Sequence, residues 1–364
     1  MITSIINKYI FKSISYGVIL AVSIFLTLDV LIGFISQINA VGKGSYTLGS
    51  ALFYTMLTIP DSVYRNFPVS SVVGIMLGLG ALAANSELVI IQSSGISRIK
   101  MASIAIVTLV IWLLPLSLMG EYVVPPAKLL AESFRATKLN DNVGLGVNSG
   151  VWIRDGNVIF NATPVGNGFD KISKNIVMND VTVYELDDKL KVIKVSKAKK
   201  ATHKKSSWEL EDIELTEFVE TGVNTTVVEN KIWPSRIEPE ILGITHSRPK
   251  NLSIRNIIKY KDFQENKENI PIKYDIALWS KLSYPLLVIA TALTGLPFLF
   301  GLLRSGGFGQ RLLIGVMLGI VLNLVNRALL NVGEVFNIHP IVVTVIPSLL
   351  ILTIVVWILK IQKT

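Results

Sequence analysis

A stretch of ordinary soluble composition, residues 125–275, interrupts a chain otherwise built of long apolar runs. Three runs precede it, Ile14–Ile38, Pro60–Ala84 and Met101–Val124, and three follow it, Ile276–Leu303, Leu312–Leu330 and Ile338–Leu359. A bilayer core of roughly 30 Å needs about 20 apolar residues per helix. Each run meets that length, although the second opens with a polar patch, Asp61-Ser62-Val63-Tyr64-Arg65-Asn66. Of the 364 residues 51% are hydrophobic, too many for a soluble protein of this size. The layout predicts an α-helical membrane protein with six transmembrane helices, three plus three. Residues 1–124 form one membrane half, 125–275 an inserted domain on one side of the bilayer, and 276–364 the second half.

Charge sets the predicted orientation. Residues 125–275 carry 23 Lys and Arg against 21 Asp and Glu, so the domain is nearly neutral. Elsewhere basic residues cluster at alternate span ends: Lys8 and Lys12, Arg98 and Lys100, Arg304 and Arg311, Lys360 and Lys363. The opposite short loops hold only Lys43 and, in 331–339, no Lys or Arg. By the positive-inside rule both termini are expected in the cytoplasm and the inserted domain outside. The first span is longer than the apolar region of a cleavable signal peptide and has no small-residue cleavage site after it. The chain has no cysteine, so disulfides and thiolate metal sites are unavailable.

Between these landmarks the pattern changes character. Residues 5–12 read as an interfacial helix leading into the first span. Residues 85–96 form a cytoplasmic connection in which Ser86 is expected to cap a short helix, Glu87 to suit its positive end and Gly95 to stop it. Leu88 and Ile91, three residues apart, are expected on its exposed face, where apolar side chains need cover from lipid or a partner. The inserted domain reads as all-β. Segments 151–160, 175–184, 189–199, 208–217 and 223–233 alternate or are β-branched, with Asp-Gly, Asp-Asp and Thr-Gly turn signals between them. That pattern suggests a sandwich, jelly roll or open barrel. A helical linker, 251–270, follows, with Ser253 as its cap and Pro271 as its stop.

The chain carries few patterns of catalytic chemistry. His203, His246 and His339 lie far apart, and no nucleophile elbow, zinc-binding helix or phosphate-binding loop is present. A dinucleotide-like Gly78-x-Gly80-x-x-Ala83 falls inside a span and reads as helix packing. The small-residue pairs Gly74/Gly78 and Gly315/Gly319 let helix backbones approach, either within the chain or between subunits. Charges inside the spans are costly and mark a partner or a cavity. Asp29 and Arg327 either pair with each other or leave Arg327 for an anionic ligand, and Arg65 is a snorkelling anchor or a ligand contact. The basic run Lys194–Lys205 is a solvated strand face with a turn, or a contact for anionic headgroups. Nucleic acid is not a plausible partner for a domain outside the membrane.

One segment is recognisable. Ser86-Glu87-Leu88-Val89-Ile90-Ile91-Gln92-Ser93-Ser94-Gly95-Ile96-Ser97 resembles the S-E-L-x-x-x-x-A-S-G-x-S stretch of the lipopolysaccharide export permeases, the LptF/LptG family. Phe67-Pro68 followed by Gly74 to Gly80, Gly44-Ser45-Tyr46 and Trp279-Ser280-Lys281 also look like that family. The Gly-Lys-Gly-Ser-Tyr and Trp-Ser-Lys stretches resemble its LptG branch. The resemblance covers nearly the whole chain and is weakest in the outer domain.

The resemblance implies an ABC transporter permease of the Gram-negative inner membrane, serving cell envelope biogenesis. Such a permease pairs with an LptF-type permease above an LptB-type ATPase dimer. It extracts lipopolysaccharide and passes it to LptC and a periplasmic bridge, and the inserted domain is a β-jellyroll. No cofactor is expected in this chain, because ATP and Mg bind the partner ATPase. Residues 85–96 become the coupling helix, with Ser86, Glu87, Leu88, Ile91, Gln92 and Gly95 at the ATPase contact and Leu88 and Ile91 in its groove. Candidate contacts to the lipid substrate are Phe34, Lys43, Arg65, Arg135 and Arg327. Arginine suits bidentate phosphate binding. The chain lacks basic residues near the outer end of its first span, a departure from the family pattern that leaves the number of phosphate contacts open. The competing readings are a lipoprotein-releasing or efflux-type permease, whose periplasmic domain follows the first span, and a non-transporting membrane scaffold.

Overall fold

The computed structural model describes residues 2–139, 151–155, 157–164, 177–187, 191–204, 207–219, 222–234, 248–264, 271–302 and 308–361. Lys205, Arg304, Lys363 and residues 265–270 of the expected linker lie outside these. The chain divides into two compact units. One comprises Met1–Asn39, Ala51–Lys128 and Pro271–Thr364; the other comprises Ala40–Ser50 and Leu129–Ile270.

The first unit is helical. Its elements are α1 (Ile2–Ile38), α2 (Leu48–Ala84), α3 (Glu87–Ser93) and α4 (Arg98–Leu118). A π-helical turn, Met119–Val123, joins α4 to α5 (Val124–Leu139), so the third span runs unbroken from Arg98 to Leu139. The first three spans are all longer than their apolar runs. Hydropathy marks the part of a helix that sits in hydrocarbon, whereas backbone hydrogen bonding continues into the polar ends.

The fourth span departs from expectation. The run 276–303 forms two helices rather than one, α7 (Ile272–Leu282) and α8 (Tyr284–Leu293), the second continuing to Phe300 at 57° to the first. Pro285 explains the break: it has no N–H for the carbonyl of Lys281, and its ring crowds that carbonyl. The remaining spans are α9 (Phe308–Val335) and the pair α10 (Pro340–Thr344) and α11 (Ile346–Ile361). Among the described residues five helices are long and apolar enough to cross a bilayer, six with the bent pair as one span.

α2 is the centre of this unit. Its apolar window is 83% buried, against 11% for α1 and 11% for α9, so those two helices turn their apolar faces outward. Glycines bring α1 against α2. A Cβ at Gly17 would overlap the carbonyl oxygen of Gly74, and one at Gly78 would stand 2.5 Å from the carbonyl oxygen of Ser13. Ser13 Oγ donates to the Gly78 carbonyl at 2.9 Å.

The second unit carries six strands: β1 (Val151–Asp155), β2 (Val158–Pro164), β3 (Val177–Leu186), β4 (Val192–Lys204), β5 (Ser207–Val219) and β6 (Gly222–Pro234). They form one antiparallel sheet in sequential order. The segment 151–160, expected as one strand, is two antiparallel strands whose pairing ends at Asp155–Val158. Phe160, Met178, Val181, Val183, Ala198, Trp208, Leu210 and Ile213 build the buried face. The basic run on β4 lies opposite acidic residues of β5, in the pairs Lys194–Glu217, Lys197–Glu214 and Lys200–Glu211. Ion pairs of 2.7 Å and 3.1 Å close the first and last of these. The run is therefore largely compensated within the sheet. α6 (Ile254–Gln264) follows, with Ser253 Oγ accepting from Asn256 N–H.

A loop completes this unit. Gly44 adopts φ +55°, and a Cβ there would stand 2.6 Å from the carbonyl oxygen of Leu139. Ser45 Oγ donates to the Lys138 carbonyl at 3.3 Å, and Tyr46 is buried. The Gly-Ser-Tyr stretch thus clasps the C-terminal end of α5, using the left-handed conformation that glycine tolerates.

Candidate functional site

The connection between α2 and α4 is built differently from its sequence expectation. Ser86 adopts φ 61°, in the left-handed region, and its side chain makes no capping bond. A capping residue needs extended backbone to aim its oxygen at the first helical N–H groups, so Ser86 serves as the corner between α2 and α3 instead. Glu87 accepts a 2.7 Å hydrogen bond from Tyr9 Oη of α1, and Asn85 Nδ2 lies 3.5 Å from its other oxygen. Gly95 at φ +91° ends the helix, with its N–H donating to the Gln92 carbonyl.

Leu88 and Ile91 are not on the exposed face. They are 6% and 7% exposed and belong to the main core with Ile96 and Met101. The same three-residue spacing that suggested an outward stripe points inward, because the helix must cover the ends of α1 and α4. The outward apolar residues are Val89 and Ile90, 55% and 66% exposed. With exposed Ser93 they line one helical face. Gln92 is half-buried.

The intramembrane charges also pair differently. Asp29 of α1 takes Arg65 of α2, not Arg327, with Nη2 to Oδ2 at 2.8 Å. Arg327 is exposed on α9 and makes no ion pair among the described residues. Phe34 is half-buried on α1. In the second unit, Lys43 is exposed in the loop and Arg135 is half-buried on α5. The small-residue pairs lie against neighbours in the same chain: Gly74 against Val18, Gly78 against Ser13 and Ile14, Gly315 against Met76 and Gly319 against Val69.

A polar junction that sequence reading missed lies where α2, the π-helical turn and the broken fourth span meet. Lys128 Nζ sits 2.6 Å from Asp61 Oδ2. Lys281 Nζ donates to the Gly120 carbonyl at 3.3 Å and lies 3.9 Å from Glu121. Tyr284 Oη donates to the Tyr64 carbonyl at 2.6 Å, and the two rings stack with centroids 4.1 Å apart. Gly120 makes room for this, since a Cβ there would overlap the Tyr64 ring. The available signal was the prolines at 68, 125, 126 and 285, each of which lacks the N–H that a carbonyl one turn back would accept from.

Among the described residues, five to six apolar spans, with a six-stranded sheet inserted after the third and a bent fourth span, define a polytopic helical membrane protein. The sequence places it further: residues 8–361 match the family described as lipopolysaccharide export system permease LptF/LptG, and the chain belongs to that family. It is 29% identical over 358 residues to the lipopolysaccharide export system permease protein LptG of Haemophilus influenzae, covering 98% of each chain. It is 27% identical over 361 residues to the protein of that name from Escherichia coli K12, again covering 98% of each.

Proposed function

We propose that this chain is the LptG-type permease subunit of an ABC exporter that lifts lipopolysaccharide out of the inner membrane and passes it to a periplasmic bridge. The family match across 8–361 carries this reading, because it spans both membrane halves and the inserted sheet together. An LptF-type permease completes the transmembrane pathway, and an LptB-type ATPase dimer binds ATP and Mg beneath it. The positive-inside pattern supports cytoplasmic termini, with the β domain in the periplasm beside LptC and the bridge.

Two sets of residues fit these roles. The outward face of α3, Val89 and Ile90 with Ser93, is the apolar patch offered to the ATPase, while Leu88 and Ile91 hold the helix to the core. Glu87 is already engaged by Tyr9 and offers its remaining acceptor capacity to the partner. Arg65, Arg135, Arg327, Lys43 and Phe34 are the candidates for lipid A. Arg65 meets a phosphate only by sharing or leaving Asp29.

The test is purification of the tagged chain from its native membrane, with mass spectrometry of bound proteins and lipids. Recovery of a second six-span permease, a soluble ATPase and lipopolysaccharide supports the exporter. Recovery of the chain alone, or with lipoproteins and no ATPase, removes it in favour of the scaffold or lipoprotein-releasing alternatives.

A further inference from the structure

The polar junction contains two main-chain carbonyls whose regular helical donor is missing. In α2 the carbonyl of Tyr64 would take its helical hydrogen bond from residue 68, which is proline. In the third span the carbonyl of Gly120 loses both possible donors. The N–H of Val124 goes to Met119, as the π-helical turn requires, and the next residue, 125, is proline. An unpaired carbonyl in a dry bundle is costly. Each is met by a side chain flanking the break at Ser283: Tyr284 Oη at 2.6 Å and Lys281 Nζ at 3.3 Å.

We propose that Tyr284 and Lys281 are positioning residues that hold the fourth span at its break by donating to the Tyr64 and Gly120 carbonyls. The three irregularities are then one device. Pro68 and the π-helical turn expose an acceptor each, and Pro285 opens the break that lets residues 281 and 284 reach them. Because these donors are side chains on another span, the bonds can be released and remade without unwinding α2 or the third span. That α7 and α8 change their angle here as lipid is moved rests on the transporter reading; the geometry of the latch does not.

The two donors are separable. Tyr284→Phe removes only a hydroxyl. Pro68→Ala returns to the Tyr64 carbonyl a donor within its own helix, and so replaces the bond that Tyr284→Phe deletes. The permease, co-purified with its partner chains in lipid nanodiscs, is measured for lipopolysaccharide released per ATP hydrolysed and for its melting temperature. One net hydrogen bond corresponds to roughly a five-fold change in an equilibrium, so Tyr284→Phe is expected to lower release per ATP about five-fold. Adding Pro68→Ala is expected to restore most of it, while having little effect in the wild-type background. Pro68→Ala is expected not to rescue Lys281→Met, whereas Lys281→Gln, which keeps a donor, retains more activity than Lys281→Met.

Equal effects of Pro68→Ala with and without the Tyr284 hydroxyl, in both readouts, overturn the proposal. Coupling in melting temperature with release per ATP unchanged leaves a structural bond and removes the positioning role. If the wild-type complex releases no lipopolysaccharide, the transporter reading fails. The melting-temperature cycle then still decides whether Tyr284 serves the Tyr64 carbonyl.

Discussion

Arg65 of the second span lies 2.8 Å from Asp29 of the first, so the two charges offer each other compensation inside the bundle. Both keep some exposure, 44% and 28% of their side chains, which leaves the guanidinium within reach of a second anion. Asp29 therefore acts as a resident counter-ion for the arginine proposed to meet lipid A.

Removing one partner is expected to cost more than removing both. Arg65→Ala leaves a carboxylate without its cation and should lower stability by about 1–3 kcal/mol. Asp29→Asn combined with Arg65→Ala should recover part of that loss. Thermal unfolding in detergent reads the cycle, and additive losses would mean that the contact contributes nothing. Asp29→Asn alone is expected to strengthen capture of lipopolysaccharide over its dephosphorylated form.

The outward and inward faces of α3 are expected to fail differently. Ile90→Glu should abolish co-purification of the ATPase while leaving the melting temperature of the chain within a degree or so, since surface changes cost roughly 0.5 kcal/mol or less. Leu88→Ala empties part of the core and should cost roughly 2–5 kcal/mol. Loss of ATPase on Leu88→Ala without any loss of stability would return Leu88 to the contact surface.

Close approach of α1 and α2 predicts intolerance of a single methyl. Gly78→Ala places a Cβ 2.5 Å from the Ser13 carbonyl oxygen and 2.8 Å from Ile14 Cα, both main-chain atoms. The expected loss is about 1–3 kcal/mol or more, read as a drop in melting temperature. Gly42→Ala has open space but a positive φ of 87°, so its smaller cost isolates backbone strain from crowding.

The sheet is expected to carry a small acid dependence. The Lys194 ammonium holds the Glu217 carboxyl below the usual carboxylate range, chiefly by hydrogen bonding, and Glu217 in turn raises Lys194. Glu217 therefore contributes stability above its unfolded pKa and loses it as pH falls through the lowered folded value. Lys194 contributes below its unfolded pKa and loses it as pH rises through the raised one. The contribution is flat across neutral pH. Glu217→Gln should remove part of the acid limb in a pH series of melting temperatures, and an unchanged limb would exclude the pair as its source.

Much of the architecture was legible because it depends on properties that each segment carries alone. Apolar length marks a span, alternation marks a strand, and Gly95 after a short apolar helix marks its end. The family, too, could be read from short stretches such as Ser86 to Ser97. Proline at 285 was visible, yet an apolar run continued through it, and hydropathy does not register a missing N–H. The face of α3 was misjudged for a related reason. Spacing shows that Leu88 and Ile91 share a side, but not which side meets the bundle.

Sequence alone thus determined the order of the apolar segments, the inserted sheet and the family, all of which follow from local composition and pattern. Only the tertiary structure decided which partner each charge and each orphaned carbonyl would take. Asp29 meets Arg65, Lys128 meets Asp61, and the carbonyls left by Pro68 and Pro125 meet Tyr284 and Lys281. Those pairings depend on how helices distant in sequence cross, and crossing is set by the packing of whole faces, here by glycines that admit a neighbour's backbone.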